Sequence, residues 1–214
     1  AFNILNVGRF KLGASTVGGA KLALGASVPY TKERHQFGQP LCSFGLIRRK
    51  IADVNTVTFM AEAMVYRTAG LLDRAIETLD KNDPGYDLAS IEQVEEFSIE
   101  CSMIKVFATE ACALAAEECL QMLGGYGYCQ EYPLERLYRD ERINRIFEGT
   151  NEINRMVIYG YYLKISRSQG AFNVEGGIGR FETVEKRTLV SSVAAADIRT
   201  SELGPKSVAM GAAT

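Results

Sequence analysis

Glu148 stands in the stretch RIFEGTNEINR, Arg145 to Arg155, behind apolar residues and ahead of Gly149, Thr150 and Asn151. Glycine followed by threonine and asparagine is turn and helix-cap chemistry, so a new helix is expected to start at Thr150 or Asn151. A carboxylate on the lip of such a turn can act as a general base if the fold holds it near a weakly acidic hydrogen. The start of the following helix would present free N–H groups and partial positive charge to an anion. A solvated carboxylate ahead of a helix would be built from the same residue types.

Two other stretches carry residues suited to a ligand. In ERHQFGQPL, Glu33 to Leu41, Arg34 offers a planar fork of donors that matches phosphate, Gln36 adds hydrogen bonds and Phe37 a stacking face. Gly38 and Pro40 turn the chain, and an ordinary interhelical loop would hold similar residues. In QMLGGYGYCQEYP, Gln121 to Pro133, glycines from Gly124 onward allow close approach and leave peptide N–H groups free for a ligand. They follow a long helical pattern rather than a strand, so neither the dinucleotide fingerprint nor the P-loop geometry is met. A helix C-cap followed by a turn is the plain alternative.

The elements that must position these residues read as helices. Ile51, Val54, Val57, Met60, Met64, Leu71, Ile76 and Leu79 recur at helical spacing, and DKNDPG, 80–85, stops the pattern. Ser43 is placed to cap its start. A second long pattern runs from about Ser90 to Leu123, ending at the natural C-cap Gly124. The first segment, about Ile4 to Glu33, is rich in small residues that permit close backbone approach, with Pro29 expected to kink it or set off its last turn. A short helix from Pro133 to about Arg139 precedes a fourth long one that reaches about Arg167. Few strand signals appear. The expected fold is all-α, an antiparallel up-and-down four-helix bundle over residues 1–168. Residues 169–214, rich in Gly, Ser, Ala and Thr, are expected to form a flexible tail or the start of a truncated extension.

Composition narrows the class. The chain is 214 residues long and 47% hydrophobic, enough for one sizeable core. A net charge of -2 gives no reason to expect nucleic acid as a partner. No apolar run approaches a membrane span, and Lys11 and Lys21 interrupt the first segment. Five scattered cysteines and the single His35 argue against a zinc site or a disulfide framework, and rule out serine–histidine machinery that does not use His35. The start AFNILNVGRF has no secretory pattern; it reads as a fragment or processed chain of a bacterial cytoplasmic or mitochondrial matrix protein, not a secreted one.

Taken together, NVGRF, ERHQFGQPL and QMLGGYGYCQEYPLERLYRDERINRIFEGTNEINR resemble the C-terminal half of an acyl-CoA dehydrogenase, over roughly residues 2–165. The order and spacing of independent motifs carry the likeness. NVGRF and FGLI lean toward the very-long-chain branch. The resemblance implies a flavoenzyme of fatty acid beta-oxidation that converts an acyl-CoA thioester to a trans-2-enoyl-CoA and passes electrons to an electron-transfer flavoprotein. It puts Glu148 at the position of the base that removes the α-proton, with the β-hydrogen leaving as hydride to FAD. Some members carry the base just before the arginine of the first helix; that position here is Gly8. Arg9, Asn6 and Gly149 match residues near the substrate, although some relatives have aspartate where Asn6 stands. Arg34, Gln36 and Phe37, then Gln121, Leu123, Gly124 and Gly125, then Thr150 and Glu152 match three FAD-contacting stretches. The first two typically reach FAD held mainly by a neighbouring subunit, which implies a homodimer or homotetramer. The N-terminal helical domain and middle β-domain of the family fall outside these residues, so this piece alone is expected to be catalytically inert and to bind FAD weakly. An acyl-CoA oxidase, or a non-catalytic assembly protein on the same fold, would retain the same motifs.

Overall fold

The computed structural model describes residues 2–168; the expected tail, 169–214, lies outside the described residues. Among the described residues there are six α-helices: α1 (Phe2–Glu33), α2 (Gly45–Glu77), α3 (Tyr86–Glu96), α4 (Ser98–Leu123), α5 (Pro133–Glu141) and α6 (Asn151–Ser168). The bounds follow the helical spacing closely. Two details differ. The pattern from Ser90 to Leu123 is broken at Phe97, which leaves helical geometry at φ -99 and ψ 19 and separates α3 from α4. Apolar spacing continues through the break because Phe97 is itself buried at the corner. Ser43 lies in a 3-10 turn, Leu41–Ser43, and α2 starts without a side-chain cap.

Helix α4 is central and buried nearly all round, as a helix that is apolar on every face must be. Helices α1 and α4 run parallel along their full lengths: Arg9 meets Ser102 at one end and Tyr30 meets Leu123 at the other. Helix α2 runs the opposite way, tied by the ion pairs Lys21–Glu62 and Lys50–Glu118. The small residues of α1 explain the close α1–α4 approach. A Cβ on Gly13 would lie 2.3 Å from the Ile104 side chain, and one on Gly19 would lie 3.1 Å from the Cys112 sulfur. Ser27 is fully buried and donates to the carbonyls of Ala23 and Cys119. One cluster of the core joins Val17, Ala61, Met64, Ile104 and Ala108; a second joins Ala23, Val54, Ala115, Met122 and Leu134.

Pro29 sits inside α1 without ending it. Pro29 and Gly25, the residue whose carbonyl a proline interrupts, both face solvent, where water can satisfy that carbonyl. Cys101, Cys112 and Cys119 are buried in α4, and burial pushes the thiols of Cys101 and Cys112 up to about 12, which leaves them unreactive. No helix among the described residues is long and apolar enough to cross a membrane. No group of three or more His, Cys, Asp or Glu suited to a metal occurs among them.

Candidate functional site

The turn between the 3-10 segment Arg142–Arg145 and α6 puts Glu148 in the left-handed region at φ 59, followed by Gly149 at φ 81. A non-glycine residue there is held by its surroundings rather than by its own preference. The surroundings are specific. Arg9 Nε donates to the Glu148 carbonyl at 3.2 Å. Asn154 Nδ2 donates to the Gly149 and Thr150 carbonyls at 2.7 and 3.0 Å. Lys105 Nζ donates to the Gly149 carbonyl at 2.8 Å and to Asn151 Oδ1 at 2.6 Å. Thr150 caps α6, its hydroxyl accepting from the Ile153 N–H at 3.3 Å.

The Glu148 carboxylate rests against Gly8. A Cβ at Gly8 would lie 2.5 Å from Oε2, 2.7 Å from Cδ and 2.9 Å from Oε1. A side chain at position 8 and the observed carboxylate therefore exclude each other. Asn6 and Arg9 are buried, and the Arg9 guanidinium donates to Asn6 Oδ1 at 3.2 Å and to Ser102 Oγ at 3.4 Å. The donors of Arg9 thus hold the turn and the helix beside it. Burial lowers the pKa of Arg9, against the opposing charge of Glu148. Glu152, in the first turn of α6, is held below the usual carboxylate range by its own backbone N–H and the Thr150 hydroxyl.

A second site lies at the other end of the bundle. A cavity of about 510 Å³ is lined by Arg34, Gln36, Gln121, Leu123, Gly124 and Gly125, with Tyr30 and Tyr126 among its walls. It forms because parallel α1 and α4 end side by side there. The guanidinium of Arg34 sits 5.9 Å above the Tyr126 ring. Gly124 leaves α4 at φ 59, and a Cβ on Gly124 or Gly125 would meet nothing within 4 Å, so the backbone is open to a ligand. Leu123 presents its backbone, because its side chain is in the core and its carbonyl accepts from Tyr30 Oη. Phe37 does not line the cavity. It forms the tip of a two-residue hairpin with Gly38, both at positive φ, is 92% exposed, and meets the Phe44 ring edge-on at 6.3 Å.

The structure therefore groups the candidate residues in two places. Gly8 and Arg34 are about 39 Å apart along α1 at 1.5 Å per residue. Asn6, Arg9, Glu148, Gly149, Thr150 and Glu152 gather at one end; Arg34, Gln36, Gln121, Leu123, Gly124 and Gly125 gather at the other. Lys105 and Asn154, which secure the turn, have no counterpart among the sequence candidates. The signal for Lys105 was a lone cation in the apolar run CSMIKVFATEACALAA. Tyr30 and Tyr126 carry no such signal, because in sequence they are ordinary aromatic residues near helix ends.

The family profile described as the C-terminal domain of acyl-CoA dehydrogenases matches residues 1–161. The chain is similar to a Bacillus subtilis (strain 168) protein named "Probable acyl-CoA dehydrogenase", with 43% identity over 164 residues, 77% of this chain and 28% of that one. It is 34% identical over 158 residues to the rat mitochondrial very long-chain specific acyl-CoA dehydrogenase, covering 74% of this chain and 21% of the relative. Among solved structures, the acyl-CoA dehydrogenase from Bacillus anthracis complexed with FAD superposes with a TM-score of 0.76 at 47% identity, over 78% of this chain and 29% of that one. The chain spans well under half the length of these relatives.

Proposed function

The chain belongs to the acyl-CoA dehydrogenase family, as its C-terminal domain, and from that premise we propose that it supplies the base for the flavin-dependent α,β-dehydrogenation of a fatty acyl-CoA thioester. The observation that carries this reading is Glu148 itself: a carboxylate in a left-handed turn, its backbone held by Arg9, Lys105 and Asn154, its side chain laid against a glycine that leaves it room.

The roles follow from the chemistry. A hydrogen α to a thioester is only weakly acidic, so its base must be held within reach of it. Glu148 would take that proton on a carboxylate oxygen. The adjacent start of α6, the positive end of its helix dipole, favours negative charge developing on the substrate beside it. FAD, when bound, supplies the oxidant that accepts the β-hydrogen as hydride. The residues at the far end fit the adenosine-diphosphate part of that cofactor: a guanidinium and two amide side chains around open glycine backbone, with aromatic walls. Their distance from Glu148 exceeds the span of one flavin dinucleotide. In this reading each chain offers Glu148, Thr150 and Glu152 to one cofactor and Arg34, Gln36, Gln121, Gly124 and Gly125 to the cofactor of a second copy, so the working unit is a homodimer or a homotetramer. Electrons would leave to an electron-transfer flavoprotein. Acyl chain length is a separate matter, because relatives of very-long-chain and short-chain specificity match almost equally, at 34% and 35% identity.

The test is Glu148→Gln in the full-length protein. Flavin content is expected to stay at the wild-type level while turnover of acyl-CoA is lost. Turnover near the wild-type rate would overturn the assignment.

A further inference from the structure

Lys105 is fully buried, yet both of its hydrogen-bond partners are neutral oxygens, the Gly149 carbonyl and Asn151 Oδ1. An ammonium held by neutral acceptors in a protein interior is destabilising compared with an apolar side chain of the same volume. Such a residue is retained where it does something that an apolar residue cannot. Its placement shows what that is. The Gly149 carbonyl belongs to the residue that follows Glu148, and Asn151 is the first residue of α6, so the ammonium grips the turn on the exit side of Glu148. Arg9 grips the Glu148 carbonyl itself. Asn151 is in turn fixed to α4, donating to Thr109 Oγ1 at 3.1 Å and to Glu110 Oε1 at 3.2 Å. A left-handed glutamate would otherwise relax toward ordinary backbone geometry and swing its carboxylate away from Gly8.

We propose that Lys105 is a positioning residue for Glu148: from α4 it ties down the Gly149 carbonyl and the start of α6, and so keeps the Glu148 carboxylate aimed at the substrate face beside Gly8. This role rests on the reading of Glu148 as the base. Lys105 donates two hydrogen bonds, one to the turn and one to the start of α6, and so acts through Glu148. The charged groups around it are Arg9 from α1, Glu110 from α4, Glu148 from the turn and Glu152 from α6.

The experiment uses the full-length protein with Lys105→Met and with Lys105→Gln, which keeps a donor. Hydrogen–deuterium exchange is followed in peptides covering 146–155 and, as reference, in peptides from α1 and α2. Steady-state turnover of acyl-CoA with an artificial acceptor gives kcat and KM. For Lys105→Met, exchange across 146–155 is expected to speed up about tenfold or more while α1 and α2 keep their protection. Its kcat is expected to fall about 10²-fold with KM little changed. Lys105→Gln is expected to fall between the two, and it decides the matter by the same readouts if Lys105→Met does not fold. Unchanged exchange across 146–155 overturns the proposal, and so does faster exchange with an unchanged kcat. If Glu148→Gln still turns over, the base assignment has failed instead, and the exchange measurement alone decides whether Lys105 holds the turn.

Discussion

Replacing Gly8 by alanine separates the chemistry of this site from its stability. The added Cβ would lie 2.5 to 2.9 Å from three atoms of the Glu148 carboxylate. Ordinary contact begins near 3.5 Å, so the carboxylate must retreat by about 1 Å. It can do so at little cost to folding, because it is the free end of a flexible side chain. The Glu148 backbone cannot follow, since Arg9, Lys105 and Asn154 hold the carbonyls of 148–150. Alanine is also the better helix former by about 1 kcal/mol, which offsets residual strain in α1. A displacement of about 1 Å in a reacting group costs about 10²-fold in rate, or about 2.7 kcal/mol of activation free energy. Gly8→Ala in the full-length protein is therefore expected to keep its flavin content and thermal midpoint and to lose about two orders of magnitude in kcat. The assay pairs steady-state turnover of acyl-CoA with flavin absorbance and a thermal melt of the same preparation. Turnover within about threefold of wild type, with the melt unchanged, would refute the reasoning, because it would mean that the carboxylate does not work from its place against Gly8.

The opposite signature is expected at Gly13, where an added Cβ would lie 2.3 Å from Ile104 Cγ2 and 3.3 Å from the Ile104 carbonyl oxygen. Ile104 is β-branched, 1% exposed and packed in the core, so its methyl group cannot step aside as a carboxylate can, and Gly13→Ala should lower stability by about 1–3 kcal/mol in urea unfolding while activity per folded molecule is kept. The pH dependence of stability should carry the mark of Lys105. Burial first, then the charge of Arg9, lowers its pKa to about 8 from 10.5, with Glu152, Glu110 and Glu148 opposing. Between those values the unfolded chain binds more protons at this residue than the folded one, so its contribution to unfolding free energy rises with pH, by up to about 3 kcal/mol. Urea titrations at pH 7.5 and 10 should show this rise in the wild type and its loss in Lys105→Met; an equal pH dependence in both would exclude a buried ammonium at this position.

Local chemistry made much of this protein legible. The small residues of α1, the apolar spacing of α2, Pro133 at the start of α5, the glycine that ends α4 and the threonine that caps α6 lie in the sequence, because each depends on residues within a turn or two of one another. The three candidate stretches are legible for the same reason, as is Gly8. What the tertiary structure decided is how those pieces meet. Helical spacing runs unbroken through Phe97, so only the folded corner reveals that α3 and α4 are separate helices. Small residues along α1 announce a close approach but not its partner; that α4 is the partner, and runs parallel to α1, settles that ERHQFGQPL and QMLGGYG form one cavity while Glu148 lies at the far end. Lys105 reads as a misplaced charge until the turn it holds arrives from about forty residues away. Side-chain spacing and capping act over a few residues, whereas the meeting of two faces depends on the shape of the whole packed core, and no single segment of the chain carries that shape.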